Sequence, residues 1–419
     1  MKSKKKFTLQ QWQEVLLGMA LGILVGLAFG EKVSFLHYLG IIFLNLIKMV
    51  TIPLIFCTII YGMTSVENYS GLGRISRKAI FIFLSTAIVA ALIGLVTASI
   101  IEPGNTPAKD IIIKMISDAS QNNKSENIYN SVSFIEFGIN IIPTNIFKAL
   151  VDGNILQVIV FAFFCGAILN KTHSKSGELI KIIHQVAQML FSMIRAIMRL
   201  APIGVFGYIT ALVAIDGLGV MIVMANLIGT IVAGCTIQYI FFGVVLFFIG
   251  RVSPIPFYKK ILGIQVMAFS TSSSKAVLVP MMETCERDLG VSKEGSRFIL
   301  PLSAVLNMDG GAIYQVSCAV FFSQIYGISF GFYEYLIIIL MSTIASIGGA
   351  GIPSGVLLFL GMVLNSVGIP IDGVLIIATV DRILDMFTTA INVTGDMFAT
   401  IMVEISEKRL NKDKYKALP

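Results

Sequence analysis

Charged residues are scarce in this chain of 419 residues: Asp, Glu, Lys and Arg make up 13% of it, about half of the roughly 25% usual in soluble proteins. Histidine and cysteine are scarce as well, with three and five residues scattered along the chain. Their dispersal argues against a zinc site and against a disulfide framework. A soluble protein of this length needs a charged exterior, so the composition excludes most soluble classes.

Apolar residues fill 56% of the chain, and they form runs close to the roughly 20 residues that span a bilayer. Six such runs come first, at 13–30, 36–62, 79–101, 143–170, 180–213 and 219–250. The first run follows a lysine cluster but lacks a clean small-residue cleavage site, so we interpret it as a retained helix. The sequence therefore predicts an all-α membrane protein.

The net charge of +7 has two explanations, nucleic-acid binding and membrane topology. The basic residues cluster at the N-terminus, at 74–78, at 259–260 and at 408–416. If the first helix runs outward, all four clusters lie on the cytoplasmic side, as the positive-inside rule expects. We therefore expect a multi-pass protein of the inner (plasma) membrane, with both termini in the cytoplasm and no nucleic-acid partner.

Two later apolar segments are interrupted by polar or flexible residues. A run of serines breaks 257–291, and SIGGAGIPSG at 346–355 breaks 328–369. Each half is too short to span the bilayer, which predicts two re-entrant helical hairpins. Each hairpin precedes a helix that is expected to carry a polar interruption, NMDGG at 307–311 and the stretch 381–396. This pattern is typical of an inverted repeat with a binding site at its centre.

The most polar membrane segment is DRILDMFTTAINVTGD at 381–396. Its polar residues recur at helical spacing and share one face of a helix: Asp381, Asp385, Thr388, Thr389, Asn392 and Asp396. A carboxylate in hydrocarbon costs roughly 2.5–3.5 kcal/mol, so such residues face the protein interior or a cavity and mark an ion or substrate path. The sequence thus predicts a carrier for a charged solute.

Two other classes also use buried carboxylates or re-entrant segments. An intramembrane enzyme with an aspartyl dyad needs aspartates that face each other from two helices, whereas Asp381 and Asp385 lie one turn apart on the same helix. A channel with a carbonyl filter needs a TVGYG-like loop, which the sequence does not contain. A transporter, which moves its substrate chemically unchanged, is the favoured class.

The motifs together resemble those of the glutamate transporter homologues, the dicarboxylate/amino acid:cation (sodium) symporters. Matching segments cover nearly the whole chain: LIKMVTIPLIF (46–56), IIPTNIFKAL (141–150), APIGVFG (201–207), SSS (272–274), NMDGG (307–311), GGAGIPSG (348–355) and DMFTTAINVTGD (385–396). The resemblance implies eight transmembrane helices plus two re-entrant hairpins, assembled as a homotrimeric elevator transporter. It also implies sodium ions as coupling ions and no organic cofactor.

The resemblance divides the chain into a scaffold and a transport domain that moves across the bilayer. Scaffold helices are expected at 1–78 and 143–213. The transport domain is expected to hold helix 3, with the external loop, at 79–142 and the remaining helices and hairpins at 214–405. A cytoplasmic tail follows at 406–419.

The resemblance also assigns roles to residues at the two hairpin tips and on the polar helices. The implied substrate-binding residues are Ser273, Ser274, Gly311, Gly351, Ile352, Pro353, Gly355, Asp385, Thr388, Thr389 and Asn392. Asp385 would bind the α-amino group and Asn392 the α-carboxylate, while the second tip acts as the gate. The implied sodium ligands are Thr86, Ser303, Asn307, Asp309, Ser346, Ile347, Gly349, Asn392 and Asp396. Hard sodium suits these oxygen donors.

Departures from the family pattern concern the substrate. Carriers of acidic amino acids have an arginine where this chain has Thr388, and a threonine where it has Gly311. Without that arginine a second carboxylate loses its bidentate partner, which favours a small neutral amino acid. The alternative is an acidic amino acid or dicarboxylate held by Lys275 or Arg382, although either cation can instead hold a neighbouring aspartate charged.

Two further departures concern the ions. Gln315 stands where proton-coupled relatives carry a glutamate, which favours sodium coupling without a proton. Ala87 stands where the family's third sodium site has a serine, so that site lacks one hydroxyl here. The number of sodium ions is therefore left open by the sequence.

Overall fold

The structure, a computed structural model, describes residues 11–64, 73–106, 109, 112–113, 142–152, 155–216, 219–348 and 355–417. All regular structure in these residues is helical, as the sequence predicts. The helices are α1 (Gln11–Phe29), α2 (His37–Thr64), α3 (Gly73–Ile101), α4 (Ile146–Val151), α5 (Ile155–Lys171), α6 (His173–Met198), α7 (Ala201–Asp216), α8 (Gly219–Phe248), α9 (Pro254–Thr271), α10 (Leu278–Arg287), α11 (Lys293–Leu306), α12 (Asp309–Tyr326), α13 (Phe332–Gly348), α14 (Gly355–Ser366), α15 (Val374–Ser406) and α16 (Lys412–Lys416). Short 3₁₀ helices at Gly30–Leu36 and Ile371–Gly373 lead into α2 and α15.

Several helices are long and apolar enough to cross a bilayer. Within the described residues there are four such stretches: Gln13–Phe43, Arg74–Ile101, Met221–Phe248 and Ile376–Ser406. The outer faces of α3 and α8 expose large apolar side chains such as Phe81, Ile100 and Phe248. Contiguous exposed apolar surface of this kind is stable against lipid but not against water.

Two predicted spans are wrong as single helices: the run 143–170 is divided between α4 and α5, and the run 180–213 between α6 and α7. α6 ends at Met198 and α7 begins at Ala201, with a turn at 199–200 between them. Pro202 follows directly, and proline is tolerated in the first turn of a helix because its missing N–H has no partner to lose there. Apolar residues lie on both sides of this turn, so hydropathy alone does not show the break.

α1, α2 and α5–α7 pack mainly with one another. Glycines on α1 let its backbone touch that of α7: a Cβ at Gly18 would lie 2.5 Å from the carbonyl oxygen of Pro202. Gly22 and Gly26 repeat this close approach at four-residue spacing. Small residues at such spacing are typical of helix pairs packed within a bilayer.

The remaining long helices, α3 and α8–α15, form a second group around α12 and α15. The break predicted at NMDGG is present: α11 ends at Leu306, Asn307 is extended with ψ of 99°, and α12 begins at Asp309. The backbone of Gly310 lies directly on α15, because a Cβ there would sit 2.4 Å from the carbonyl oxygen of Thr388. The start of α12 therefore touches the polar face of α15 without an intervening side chain.

The second predicted interruption, at 381–396, is wrong. α15 runs without a break for 33 residues from Val374 to Ser406. Its polar side chains bond partly within α15, as Thr388 does, and partly to neighbouring elements, as Asn392 does. In the NMDGG segment the break falls at 307–308, and Gly310 and Gly311 already belong to α12.

The residues after α15 are hydrogen-bonded to other elements. Lys260 of α9 donates hydrogen bonds of 2.7, 2.9 and 2.8 Å to the carbonyls of Asp288, Lys414 and Tyr415. The buried Tyr415 donates its hydroxyl hydrogen to the carbonyl of Ser253 at 2.8 Å. The last described helix, α16, is thus held against the base of the α9–α10 pair.

Glu407, the residue that follows α15, connects this helix to the start of α3. Its carboxylate accepts from Lys78 and from Arg74, each at 2.6 Å. The hydrogen bonds from the two cations, of which that from Lys78 has the larger effect, lower the pKa of Glu407 below its ordinary value of 4.5. This carboxylate therefore stays charged to a lower pH than an isolated glutamate does.

Candidate functional site

The polar face of α15 is turned inward. Its six polar residues are all 5% exposed or less: Asp381, Asp385, Thr388, Thr389, Asn392 and Asp396. The structure thus confirms the predicted burial of this face. Because buried charges need partners, the contacts of each carboxylate indicate what the face can bind.

Asp381 is held by a tyrosine of α12. The hydroxyl of Tyr314 donates a 2.8 Å hydrogen bond to Oδ1 of Asp381, and both side chains are buried. This contact joins α12 to α15 at one end of the polar face. Tyr314 was not among the sequence-predicted residues, although a tyrosine in an apolar helix next to NMDGG is a usable signal.

Asp385 lies beside Arg382, one turn earlier on α15, with Nη1 3.8 Å from Oδ2. Arg382 is only 6% exposed, and its Nε and Nη1 have no hydrogen-bond acceptor among the described residues. Buried donors without acceptors typically cost about 1–3 kcal/mol, and more when the group is charged. A carboxylate is the group that best matches the planar donor set of a guanidinium.

Asn392 and Thr388 lie where α12 begins. Oδ1 of Asn392 accepts a 2.8 Å hydrogen bond from the backbone N–H of Gly310. The hydroxyl of Thr388 donates to the carbonyl of Asp385, at 3.3 Å. Asn392 thus bonds across to α12, whereas Thr388 bonds within its own helix.

Asp396 lies further along α15, beside the extended residue between α11 and α12. Nδ2 of Asn307 donates to Oδ1 of Asp396 at 3.2 Å, and Oδ1 of Asn307 accepts from the hydroxyl of Thr86 at 3.3 Å. Three of the predicted sodium-ligand residues, from α3, the α11–α12 break and α15, are therefore brought together. All three are buried.

Asp309 opens α12 next to this cluster. Its Oδ2 accepts a 3.4 Å hydrogen bond from Nε2 of Gln238 on α8. Oδ1 of Asp309 and Oδ2 of Asp396 have no hydrogen-bond partner in the part of the chain that the structure describes. Two buried carboxylate oxygens left in this way fit a hard cation such as sodium, which binds oxygen ligands and offsets the cost of burying the charge.

Gly395 explains how these groups come so close. A Cβ at Gly395 would lie 2.9 Å from Nδ2 of Asn307 and 3.0 Å from Oδ2 of Asp309. The missing side chain therefore leaves the space that the two polar side chains occupy. The described residues contain no group of three or more His, Cys, Asp and Glu side chains that could hold a metal ion, so the cluster differs from a transition-metal site.

The other predicted residues differ in burial, and some of them lie outside the described residues. Ser273 and Ser274 lie in the turn between α9 and α10, where Ser274 is buried and the following Lys275 is exposed. Gly311, Gly355, Ser303 and Ser346 are buried within the second helix group. Ile347 lies in α13 without a described side chain, and Gly349, Gly351, Ile352 and Pro353 lie outside the described residues.

A cavity of about 360 Å³ lies elsewhere, between α8, α9 and α15. It is lined mainly by apolar side chains, among them Val232, Phe269 and Phe387. None of the six polar residues of the α15 face lines it. This cavity is therefore separate from the candidate site.

Comparison with known proteins matches residues 12–406 to the model of the sodium:dicarboxylate symporter family. The chain belongs to the sodium:dicarboxylate symporter family. The resemblance drawn from the motifs is thereby confirmed, and the family is one of membrane transporters rather than enzymes.

Three relatives of this family member are informative. The proton/sodium-glutamate symport protein of Geobacillus stearothermophilus is 34% identical over 411 residues, which cover 97% of this chain and 96% of that protein. The protein of the same description from Bacillus subtilis (strain 168) is 30% identical over 408 residues, covering 96% and 94%. The proton/glutamate-aspartate symporter of Escherichia coli (strain K12) is 31% identical over 431 residues, covering 98% and 95%.

Proposed function

We propose that this protein is a sodium-coupled symporter of an acidic amino acid of the glutamate and aspartate class. The sequence-based preference for a small neutral substrate is replaced here by its alternative. The names of the three relatives favour an acidic substrate, and one structural observation carries the choice. That observation is the buried guanidinium of Arg382, with two nitrogens lacking acceptors among the described residues.

An acidic amino acid has one ammonium and two carboxylate groups, and the α15 face offers a partner for each. The ammonium binds Asp385, whose carboxylate is buried. The distal carboxylate binds Arg382, which lies 3.8 Å from Asp385 and supplies the donors that Thr388 lacks. The α-carboxylate binds the carboxamide nitrogen of Asn392. Arg382 and Asp385 then each face a substrate group of opposite charge, whereas a neutral amino acid would bring no second carboxylate for Arg382.

Sodium ions bind as co-transported cargo at the cluster of Asp309, Asp396, Asn307 and Thr86. Both unpartnered carboxylate oxygens and the carbonyls at the α11–α12 break are hard donors. The cluster shares α15 and the start of α12 with the amino-acid site, so occupancy of one site bears on the geometry of the other. Here such coupling makes uphill uptake depend on the sodium gradient.

The larger architecture is inferred from the family and the packing. Eight transmembrane helices and two re-entrant hairpins, α9–α10 and α13–α14, assemble in a homotrimer with cytoplasmic termini. The group of α1, α2 and α5–α7 serves as the scaffold, and the group around α12 and α15 moves as the transport domain. The domain boundaries expected from the sequence are kept as part of this proposal.

A small neutral amino acid is the second candidate. Thr388 favours it, because this buried side chain is short, uncharged and bonded within its own helix. In that case Arg382 serves only to keep Asp385 charged. The two candidates differ in one measurable property, the requirement for a second carboxylate on the substrate.

The deciding experiment is uptake into liposomes that contain the purified protein, under an inward sodium gradient. Radiolabelled aspartate and serine are compared, with choline in place of sodium and with a proton gradient alone as separate arms. Three variants are tested, Arg382→Ala, Lys275→Ala and Arg297→Ala. Arg297 is the matched control, since it is exposed and pairs with Glu286 on α10.

We expect sodium-dependent aspartate uptake that Arg382→Ala abolishes and that Lys275→Ala and Arg297→Ala retain. Aspartate uptake lost only with Lys275→Ala would move the carboxylate site to the first hairpin tip. Serine uptake without aspartate uptake would establish the neutral candidate instead. Uptake of neither substrate in any sodium arm would contradict the proposed symport of these amino acids.

A further inference from the structure

Gln238 is the feature of the ion cluster that the family roles leave unexplained. It lies on α8 among apolar residues and is fully buried, with 0% of its surface exposed. Its Nε2 donates to Oδ2 of Asp309, at 3.4 Å, and its Oε1 has no hydrogen-bond partner among the residues described. Buried side-chain oxygens are usually satisfied, so an oxygen without a partner, on a carboxamide that contacts Asp309, indicates a missing positive partner.

The surroundings of Gln238 supply the other ligands of such a partner. Asp309 presents Oδ1, and Asp396 presents Oδ2, in each case without a hydrogen-bond partner that the structure describes. The hydroxyl of Thr86 reaches the same cluster through Asn307. Oxygens from α3, α8, α12 and α15 therefore converge on one region.

We propose that Gln238 is a sodium ligand at Asp309, and that its carboxamide turns when the ion binds. The proposal rests on the proposed function, because it takes sodium as the coupling ion. Terminal rotation about χ3 is soft in glutamine, and a half-turn exchanges Nε2 and Oε1. Before the ion binds, Nε2 donates to Asp309; with the ion bound, Oε1 and Oδ2 of Asp309 both face the cation.

The charge balance of the cluster favours a glutamine in this role. Two carboxylates, Asp309 and Asp396, already lie in the cluster, and a third would add repulsion between like charges in a buried site. A carboxamide adds a hard oxygen without adding charge. It also offsets the hydroxyl that is missing at Ala87, which follows Thr86 on α3.

The test measures sodium binding through thermal unfolding and does not depend on transport. The purified protein is unfolded in detergent with a thiol-reactive dye, because Cys57, Cys235, Cys285 and Cys318 are buried and become reactive on unfolding. Sodium chloride is titrated at constant ionic strength against choline chloride. Binding to the folded state alone raises the melting temperature, so the sodium concentration for half of the shift reports affinity.

Gln238→Leu removes the side-chain oxygen. If this variant does not fold, Gln238→Met is used in its place, because methionine is unbranched like glutamine and also lacks the oxygen. The matched control is Gln324→Leu. Gln324 also joins α12 to the end of α3, through Gly104 and Ala98, but lies outside the cluster. A rescue variant combines Gln238→Leu with Ala87→Ser, which returns a hydroxyl next to Thr86.

We expect the sodium midpoint to rise roughly tenfold or more in Gln238→Leu, as for the loss of supporting groups at other metal sites. Gln324→Leu is expected to keep the wild-type midpoint even if its melting temperature falls, and Ala87→Ser to lower the raised midpoint. An unchanged midpoint in Gln238→Leu and Gln238→Met overturns the ligand role alone. A raised midpoint that Ala87→Ser leaves in place assigns the loss to packing and also overturns it. No sodium shift in the wild type overturns the proposed sodium coupling as well.

Discussion

Arg382 and Asp385 form a buried pair one helical turn apart, with Nη1 of the guanidinium 3.8 Å from Oδ2 of the carboxylate. That distance is within ion-pair range but too long for a hydrogen bond. The two side chains therefore attract each other without a hydrogen bond between these two atoms.

Asp385→Asn is expected to destabilise the protein by about 3–5 kcal/mol, because it leaves the Arg382 charge buried without its partner. Thermal unfolding of the purified variant measures this loss. The double variant Arg382→Ala/Asp385→Asn is expected to recover part of the stability but none of the transport. Equal stability of wild type and Asp385→Asn would mean that the pair is not energetically coupled.

Tyr314→Phe is expected to lower stability by about 1–3 kcal/mol, because the buried Oδ1 of Asp381 loses its 2.8 Å hydrogen bond. The change keeps the ring and removes only the hydroxyl. Tyr333→Phe serves as the control, since Tyr333 is exposed on α13 and surface changes stay within about 0.5 kcal/mol. If both variants melt at the wild-type temperature, the Tyr314–Asp381 bond contributes nothing to folding.

Gly395→Ala is expected to weaken sodium binding. The added Cβ would lie 2.9 Å from Nδ2 of Asn307 and 3.0 Å from Oδ2 of Asp309, so at least one of the two must move. The measurement is the sodium-induced shift in melting temperature. Gly229→Ala on α8 is the control, since a Cβ there meets no atom within 4 Å. A normal sodium shift in Gly395→Ala would show that the cluster can accommodate the methyl group.

Glu407→Gln is expected to destabilise the protein at pH 7, by an amount that decreases as the pH falls. The pKa of Glu407 is lowered in the folded state by Lys78 and Arg74, so its stabilising effect is present above the ordinary value of 4.5. It is lost as the pH falls through the lowered pKa, when both wild type and variant carry a neutral side chain. Thermal unfolding of the two proteins between pH 3 and 7 measures this difference in stability. Glu178→Gln is the control, because Glu178 forms an exposed ion pair with Lys181 on the same helix. A difference that does not decrease as the pH falls would contradict the ion-pair explanation.

The polar face of α15 and the break before Asp309 were predictable from the sequence, because helical spacing and the polar NMDGG segment are local signals. The turn at 199–200 was not, since it contains neither glycine nor proline. Nor was the continuity of α15, whose polar residues resemble an interruption until their partners are known.

The contacts of the ion cluster depend on pairs that are distant in the chain. Gln238 and Asp309 are 71 residues apart, and Asn307 and Asp396 are 89 apart. Single glutamines in apolar helices often serve only to join helices. The sequence around Gln238 therefore does not connect it with a carboxylate of α12. That contact follows from the packing of α8 against α12 and α15.

The uninterrupted α15 fixes the distance between the two ends of its polar face. Asp381 and Asp396 lie fifteen positions apart on one straight helix, or roughly 22 Å at 1.5 Å per residue. Since a continuous helix does not lengthen or shorten, the spacing of its amino-acid and cation groups stays fixed in every position that the protein adopts. Any coupling between the ligands proposed at its two ends would then run through parts that are not on this helix, such as the α11–α12 break.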